Sequence, residues 1–138
     1  MNVSIKELDR WDVMRRVAPQ LTYNETLAMN NALIKSHQIW LGLISDEVAC
    51  VWGLVSPTLL SVTPHLWLYT TPLVRKHRFI FVRHSQRVIE DLLRDYPEIV
   101  GVTRVGAEES FRWIKWLGGV YGEPQGRLVP FVIRRRNG

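Results

Sequence analysis

Val105-Gly106-Ala107-Glu108-Glu109-Ser110-Phe111-Arg112-Trp113-Ile114-Lys115-Trp116-Leu117-Gly118-Gly119-Val120-Tyr121 is the stretch whose reading decides the fold. It joins three elements in seventeen residues. Ile99–Val105 is rich in β-branched side chains and predicts a strand. Ala107–Leu117 places Phe111, Ile114 and Leu117 on one stripe, the spacing of an amphipathic helix. Gly118-Gly119 supplies the helix exit, because glycine adopts a left-handed conformation without steric cost. Val120–Gly122 and Arg127–Arg135 then give two final strands.

Upstream of this unit, the pattern predicts one long helix from about Lys76 to Tyr96. Phe81, Ser85, Val88 and Leu92 recur at spacings of 4, 3 and 4, while Arg83, Arg87, Glu90 and Arg94 lie on other faces. Val88 and Leu92 are expected to be buried, Arg87 and Arg94 more exposed. Pro97 ends the helix, and Pro57 and Pro64 punctuate the loop before a strand over His65–Thr71. His37–Ile44 and Glu47–Val55 form a hairpin across Ser45-Asp46. Closer to the start, Thr22-x-x-Glu25 is a capping box opening a helix over Tyr23–Lys35. Asp9 caps Arg10–Val17, which Pro19 closes, and Met1–Glu7 is a short first strand. The order is β-α-α-β-β-β-α-β-α-β-β, a mixed central sheet flanked by about four helices, α/β (α+β), in a single domain over 1–138.

That order resembles the fold of the GNAT-type N-acetyltransferases over almost the whole chain. Val105–Tyr121 is similar to the family segment in which a strand, an Asn-led helix and a Gly-Phe turn follow each other. The strand from Trp67 to Pro72, the basic long helix and the run Val105-Gly106…Phe111-Arg112-x-x-Lys115-x-x-Gly118 also resemble the internal virion protein A family of T7-like phages. The first resemblance implies acetyl-CoA as cofactor if the chain is active. The second implies a structural or assembly role in or on a virion, with other virion or assembly proteins as partners.

In active GNAT enzymes the pyrophosphate of acyl-CoA rests on a loop patterned Gln/Arg-x-x-Gly-x-Gly/Ala after the fourth strand. Backbone N–H groups at a helix start point at the phosphates there, and glycines allow close approach. The matching residues are Arg75, Lys76, His77, Arg78, Phe79 and Ile80. Arg75 fits the first position, whereas Arg78 and Ile80 stand where small residues belong. Ala107 replaces the Asn that leads the next helix. Ile114 replaces the Tyr that protonates the departing thiolate. A general base is expected on the fourth or fifth strand, yet His65–Thr71 contains no acid. His65 and Tyr69 are the base candidates and Tyr121 the substitute acid, each set against a plain structural role. The resulting expectation is a degenerate, non-catalytic acetyltransferase-like protein with no cofactor. The alternatives are an active N-acetyltransferase acting on an amine, and a phage effector that binds a host protein.

Composition narrows the partners. The chain has 138 residues, 46% of them hydrophobic and 22% charged, enough for one ordinary core. Eighteen Lys and Arg against thirteen Asp and Glu leave a net charge of +5, which favours acidic partners. The basic cluster of Arg75, Lys76, His77, Arg78, Arg83, His84 and Arg87 is open to three readings: a solvated helix end, a site for a phosphate-bearing ligand or nucleic acid, or a seat for an acidic protein face. Arg134-Arg135-Arg136 reads as a solvated tail. Trp113 and Trp116, with Arg83 and Arg87, are interface candidates, since interfaces are enriched in Trp and Arg; core packing is the competing reading for the tryptophans. Four histidines show no metal-ligand spacing. The single cysteine, Cys50, lies in an apolar run and reads as a buried hydrophobe. No apolar run approaches the roughly 20 residues of a membrane span, and no basic-then-apolar leader is found. The expected location is therefore the virion or the host cytoplasm.

Overall fold

A computed structural model describes residues 2–55 and 63–135. Pro57 and Arg136 lie outside the described residues. The elements are β1 (Val3–Glu7), α1 (Arg10–Val17), a 3-10 turn (Ala18–Gln20), α2 (Tyr23–Lys35), β2 (Ser36–Ile44), β3 (Glu47–Val55), β4 (His65–Thr70), α3 (Val74–Asp95), β5 (Glu98–Arg104), α4 (Glu108–Trp116), β6 (Gly119–Tyr121) and β7 (Leu128–Arg134). The seven strands form one sheet in the order β1-β2-β3-β4-β5-β7-β6. All neighbours run antiparallel except β4 and β5.

Local chemistry accounts for the first half. Asp9 accepts from the Asp12 amide at 2.9 Å and opens α1. The capping box is complete: the Glu25 amide donates to Thr22 Oγ1 at 3.2 Å, and the Thr22 amide donates to Glu25 Oε1 at 2.9 Å. Ser45 and Asp46 both adopt positive φ, 49° and 68°, as a two-residue hairpin turn requires. β2 and β3 are buried along most of their length, so they read as continuous apolar runs rather than alternating ones.

Both faces of the sheet carry a core. On one side α1 and α2 cover Leu41, Leu43 and Val51 with Val13, Val17, Met29 and Leu33. On the other, α3 and α4 close over Trp52, Leu54, Ile99 and Phe131 with Phe81, Ile89, Trp113 and Ile114. Aromatic rings dominate this second core. Trp40 stacks on Trp52 at 5.9 Å, and Trp113 lies 5.9 Å from Trp52 and 6.4 Å from Phe81. Cys50 is fully buried as a small hydrophobe, and burial pushes its thiol well above the usual range.

Three expectations need correction. The buried line of α3 is Phe81, Ser85 and Ile89, beside Val82, so Val88 and Leu92 are only half-buried. The helix also starts two residues earlier than Lys76, at Val74, and is kinked at His77 (φ −130°, ψ 21°). On α4 the buried stripe is Ser110, Trp113, Ile114 and Leu117; Phe111 sits at its edge, stacked on Tyr121 at 4.6 Å.

Candidate functional site

β4 and β5 touch at one end only. His65 registers with Val100, and the Val100 amide donates to Pro64 O at 3.1 Å. Gly101 permits this approach, because a Cβ there would lie 2.3 Å from Leu66 O. Beyond that contact the two strands have no register pairs, which leaves a wedge between their C-terminal halves. Leu66, Leu68, Val102, Thr103, Ala107 and Ile114 line a cavity of about 90 Å³ within it. Its mouth, about 230 Å³, lies between Thr71, Pro72 and Arg75 on one side and Gly106, Glu108 and Glu109 on the other. Both wedge and mouth open where α3 and α4 begin, so two helix N-termini converge there.

The chemistry of that mouth is set by Glu109. Its side chain is only 12% exposed and lies 3.5 Å from Arg75 Nε, 3.8 Å from an Arg78 guanidinium nitrogen and 3.7 Å from one of Arg112. One carboxylate thus holds three arginines, two of them on the helix whose start would meet a phosphate. Among the described residues lining the mouth, Glu108 and Glu109 outnumber Arg75. The first amides of α3 are also engaged: Val74 donates to Thr71 O at 3.1 Å and Arg75 to Pro72 O at 3.3 Å. Ala107, the cap of α4, offers no side-chain hydrogen bond.

The catalytic candidates do not come together. His65 lies at the closed end of the wedge, exposed, on the first residue of β4. Tyr69 packs on the opposite face against the α1–α2 core, where burial and the nearby Glu25 carboxylate raise its pKa. Tyr121 is held at α4 by donation of its hydroxyl to Phe111 O at 2.9 Å. Burial raises its pKa, and a hydrogen bond with Thr103 works the other way. The six residues Arg75–Ile80 straddle the kink of α3, where His77 has non-helical φ and ψ. Phe79 and Ile80 point outward, and Arg78 packs 5.7 Å over the Phe79 ring. The two other departures, Ala107 and Ile114, both fall on the wedge wall.

Among the interface candidates, burial removes Trp113: it is 3% exposed and its Nε1 donates to Ser85 Oγ at 2.8 Å. Trp116 is 57% exposed and meets Phe79 edge-on at 5.5 Å. Arg83 and Arg87 are exposed on α3, on a different line from the residues that face α4. Arg135 is not a free tail residue, for its guanidinium donates to Leu93 O and Arg94 O and so caps α3. Glu109 and Arg112 were not singled out as site residues in the sequence, where Arg94 read as an exposed helix position and Arg135 as part of a solvated tail. The Glu108-Glu109 pair reads there as ordinary acid at a helix start. Among the described residues, no group of three His, Cys, Asp or Glu is placed to hold a metal ion, and no helix is long and apolar enough to cross a membrane.

The architecture as a whole is shared with solved acetyltransferases. An acetyltransferase of the GNAT family from Streptococcus pneumoniae superposes with a TM-score of 0.65 at 10% identity, covering 96% of this chain and 99% of that one. The fold is that of the GNAT N-acetyltransferases. The PaiA N-acetyltransferase of Thermoplasma acidophilum, solved with coenzyme A, matches at 0.63 and 10% identity over 98% of this chain and 100% of that one. The Campylobacter jejuni N-acetyltransferase PseH, solved with acetyl coenzyme A, matches at 0.60 and 9% identity over 98% and 100%. No protein-family profile and no curated protein matches the sequence. Identities this low carry the GNAT fold and nothing finer. At the mouth of this chain Arg75 stands beside two carboxylates, Glu108 and Glu109, which oppose a pyrophosphate where the arginines attract it.

Proposed function

We propose that this GNAT-fold chain has given up acyl transfer and works as a non-catalytic binding component of a phage particle or of its assembly, in the virion or the host cytoplasm. The observation that carries the first half is the Glu109 clamp. The Glu109 carboxylate, beside Arg75, Arg78 and Arg112, competes with a pyrophosphate for their N–H groups, although three arginines against one carboxylate leave the cluster positive. The second half is supported by the resemblance of the Trp67–Pro72 strand, the basic long helix and Val105–Gly118 to internal virion protein A of T7-like phages. Mass spectrometry of gradient-purified particles and assembly intermediates tests it, with a defined copy number expected. Absence from both, with free protein abundant in infected cells, would favour an effector.

One observation favours a second reading, an active N-acetyltransferase with an amine substrate: the wedge between β4 and β5 persists, with a cavity of about 90 Å³ at its heart. Binding of acetyl-CoA separates the two readings.

A further inference from the structure

Eleven large hydrophobic side chains stand exposed among the described residues, and four of them, Trp11, Tyr23, Leu27 and Ile34, belong to the α1–α2 pair. Three of the four form a line. Tyr23, Leu27 and Ile34 follow one another on α2 at spacings of 4 and 7, so on an α-helix they fall within about 40° of arc. All three present more than half of their surfaces to solvent, while Met29 and Leu33 supply the buried side of the helix. Asn30 and Asn31 fill the middle of the line and are exposed too. Glu25 and Lys35, the charged residues of α2, lie about 100° or more round the helix from its centre. The chain carries +5, yet this line carries no charge. A charged partner finds nothing there to pair with, and a second copy meets no like charge along it.

The face is its own complement. Leu27 and Ile34 are equally far from the midpoint between Asn30 and Asn31, about 5 Å to either side along the helix. Set α2 antiparallel against its copy, with a two-fold axis at that midpoint, and Leu27 meets Ile34 of the second copy on both sides of the axis. Asn30 then meets Asn31. A carboxamide carries both donors and an acceptor, so this pair satisfies itself and fixes the register. Tyr23, one turn outside Leu27, comes to lie just beyond Ile34 of the second copy. There the surface has a hollow of about 310 Å³ between the start of α1 and the end of α2. Trp11, Ile34 and Ile39 give it apolar walls, and Asp9, Arg10 and His37 give it polar groups for a phenol hydroxyl. Knob and hole thus belong to one surface, on opposite sides of one axis. An unrelated partner would need the same spacings by coincidence.

We infer that α2 pairs two copies of this chain about a two-fold axis between Asn30 and Asn31, with Tyr23 of each copy seated in the other's hollow between α1 and α2. The contact is one helix pair about 20 Å long, at the small end of specific interfaces, so a dissociation constant in the micromolar range is expected. It lies on the sheet face away from α3 and α4 and stands whether or not the wedge takes a cofactor. Sedimentation of the full chain from about 1 to 500 µM should show a reversible monomer–dimer equilibrium. Leu27→Glu and Ile34→Glu alter exposed positions, and circular dichroism checks that both fold. Each should weaken dimerisation at least about tenfold. Cross-linking reads the register. Cys50, the one native cysteine, is buried, so thiols placed on α2 are the reactive ones. Oxidising a mixture of Leu27→Cys and Ile34→Cys chains should give the mixed disulfide in preference to either homodimer. The axis brings position 27 onto position 34 and holds like positions about 10 Å apart, too far for a disulfide. A chain that stays monomeric to about 500 µM, a dimer indifferent to both glutamate substitutions, or disulfides that favour the homodimers would overturn the inference.

Discussion

Trp113 Nε1 donates to Ser85 Oγ at 2.8 Å, deep between α4 and α3, and Ser85 in turn donates to Val82 O at 2.8 Å. This pair explains a serine on the buried line of a long amphipathic helix. The indole N–H needs a partner once it is out of water, and Ser85 supplies it. Ser85→Ala should therefore cost about 1–3 kcal/mol, the penalty for an orphaned buried donor. In a Trp113→Phe background, where no donor remains, the same change should cost about 0.5 kcal/mol or less. Urea titrations of the four proteins in the cycle give the coupling. Additive costs would mean that the hydrogen bond contributes nothing.

The buried line of α3 makes a second prediction. Ile89→Ala empties a core position and should cost about 2–5 kcal/mol. Leu92→Ala, on the half-buried flank, should cost clearly less. Equal losses in denaturant titrations would place Leu92 in the core after all.

Much of this architecture was legible in the sequence, because it rests on local chemistry. The capping box, the Ser45-Asp46 turn and the exit at Gly118, which adopts φ 90°, act within a few residues. Most strand and helix ends accordingly fall within one or two residues of expectation. The misplaced residues have long-range causes. Val88 and Ile89 are neighbours on a helix, and only the position of the sheet decides which turns inward. Trp113 and Trp116 lie one turn apart, and only the docking of α4 against Trp52 and Phe81 buries the first. Glu109 is some thirty residues from Arg75 and Arg78. It meets them because β4 and β5 lie side by side, a fact of topology that no local spacing carries.

His84 gives a pH dependence. Its Nδ1 is buried without a hydrogen-bond partner, as is Trp52 Nε1, and the two rings meet edge-on at 5.7 Å. Burial, and to a lesser degree Arg87, lowers its pKa. A base whose folded pKa is depressed stays neutral while the unfolded chain takes up a proton. Its contribution is full above the ordinary histidine value of about 6.5 and is lost as pH falls from there towards the lowered folded value. His84→Gln should flatten that part of the stability profile between about pH 7.5 and 5, relative to the ordinary value. Parallel profiles for the two proteins would contradict the assignment.

The Glu109 clamp has a direct consequence for ligand affinity. Glu109→Gln keeps the shape and removes the charge, releasing Arg75 and Arg78. Coenzyme A or inorganic pyrophosphate should then bind more tightly than to the wild type, on the order of tenfold at low salt. An unchanged affinity would mean that the carboxylate does not guard the mouth.

The wild-type protein and acetyl-CoA give the most direct test of lost acyl transfer. Carboxylates at the mouth and arginines already engaged should leave no saturable binding in calorimetry up to about 1 mM cofactor, weaker than about −4 kcal/mol. A dissociation constant in the low micromolar range, about −8 kcal/mol, accompanied by acetylation of any amine, would contradict it.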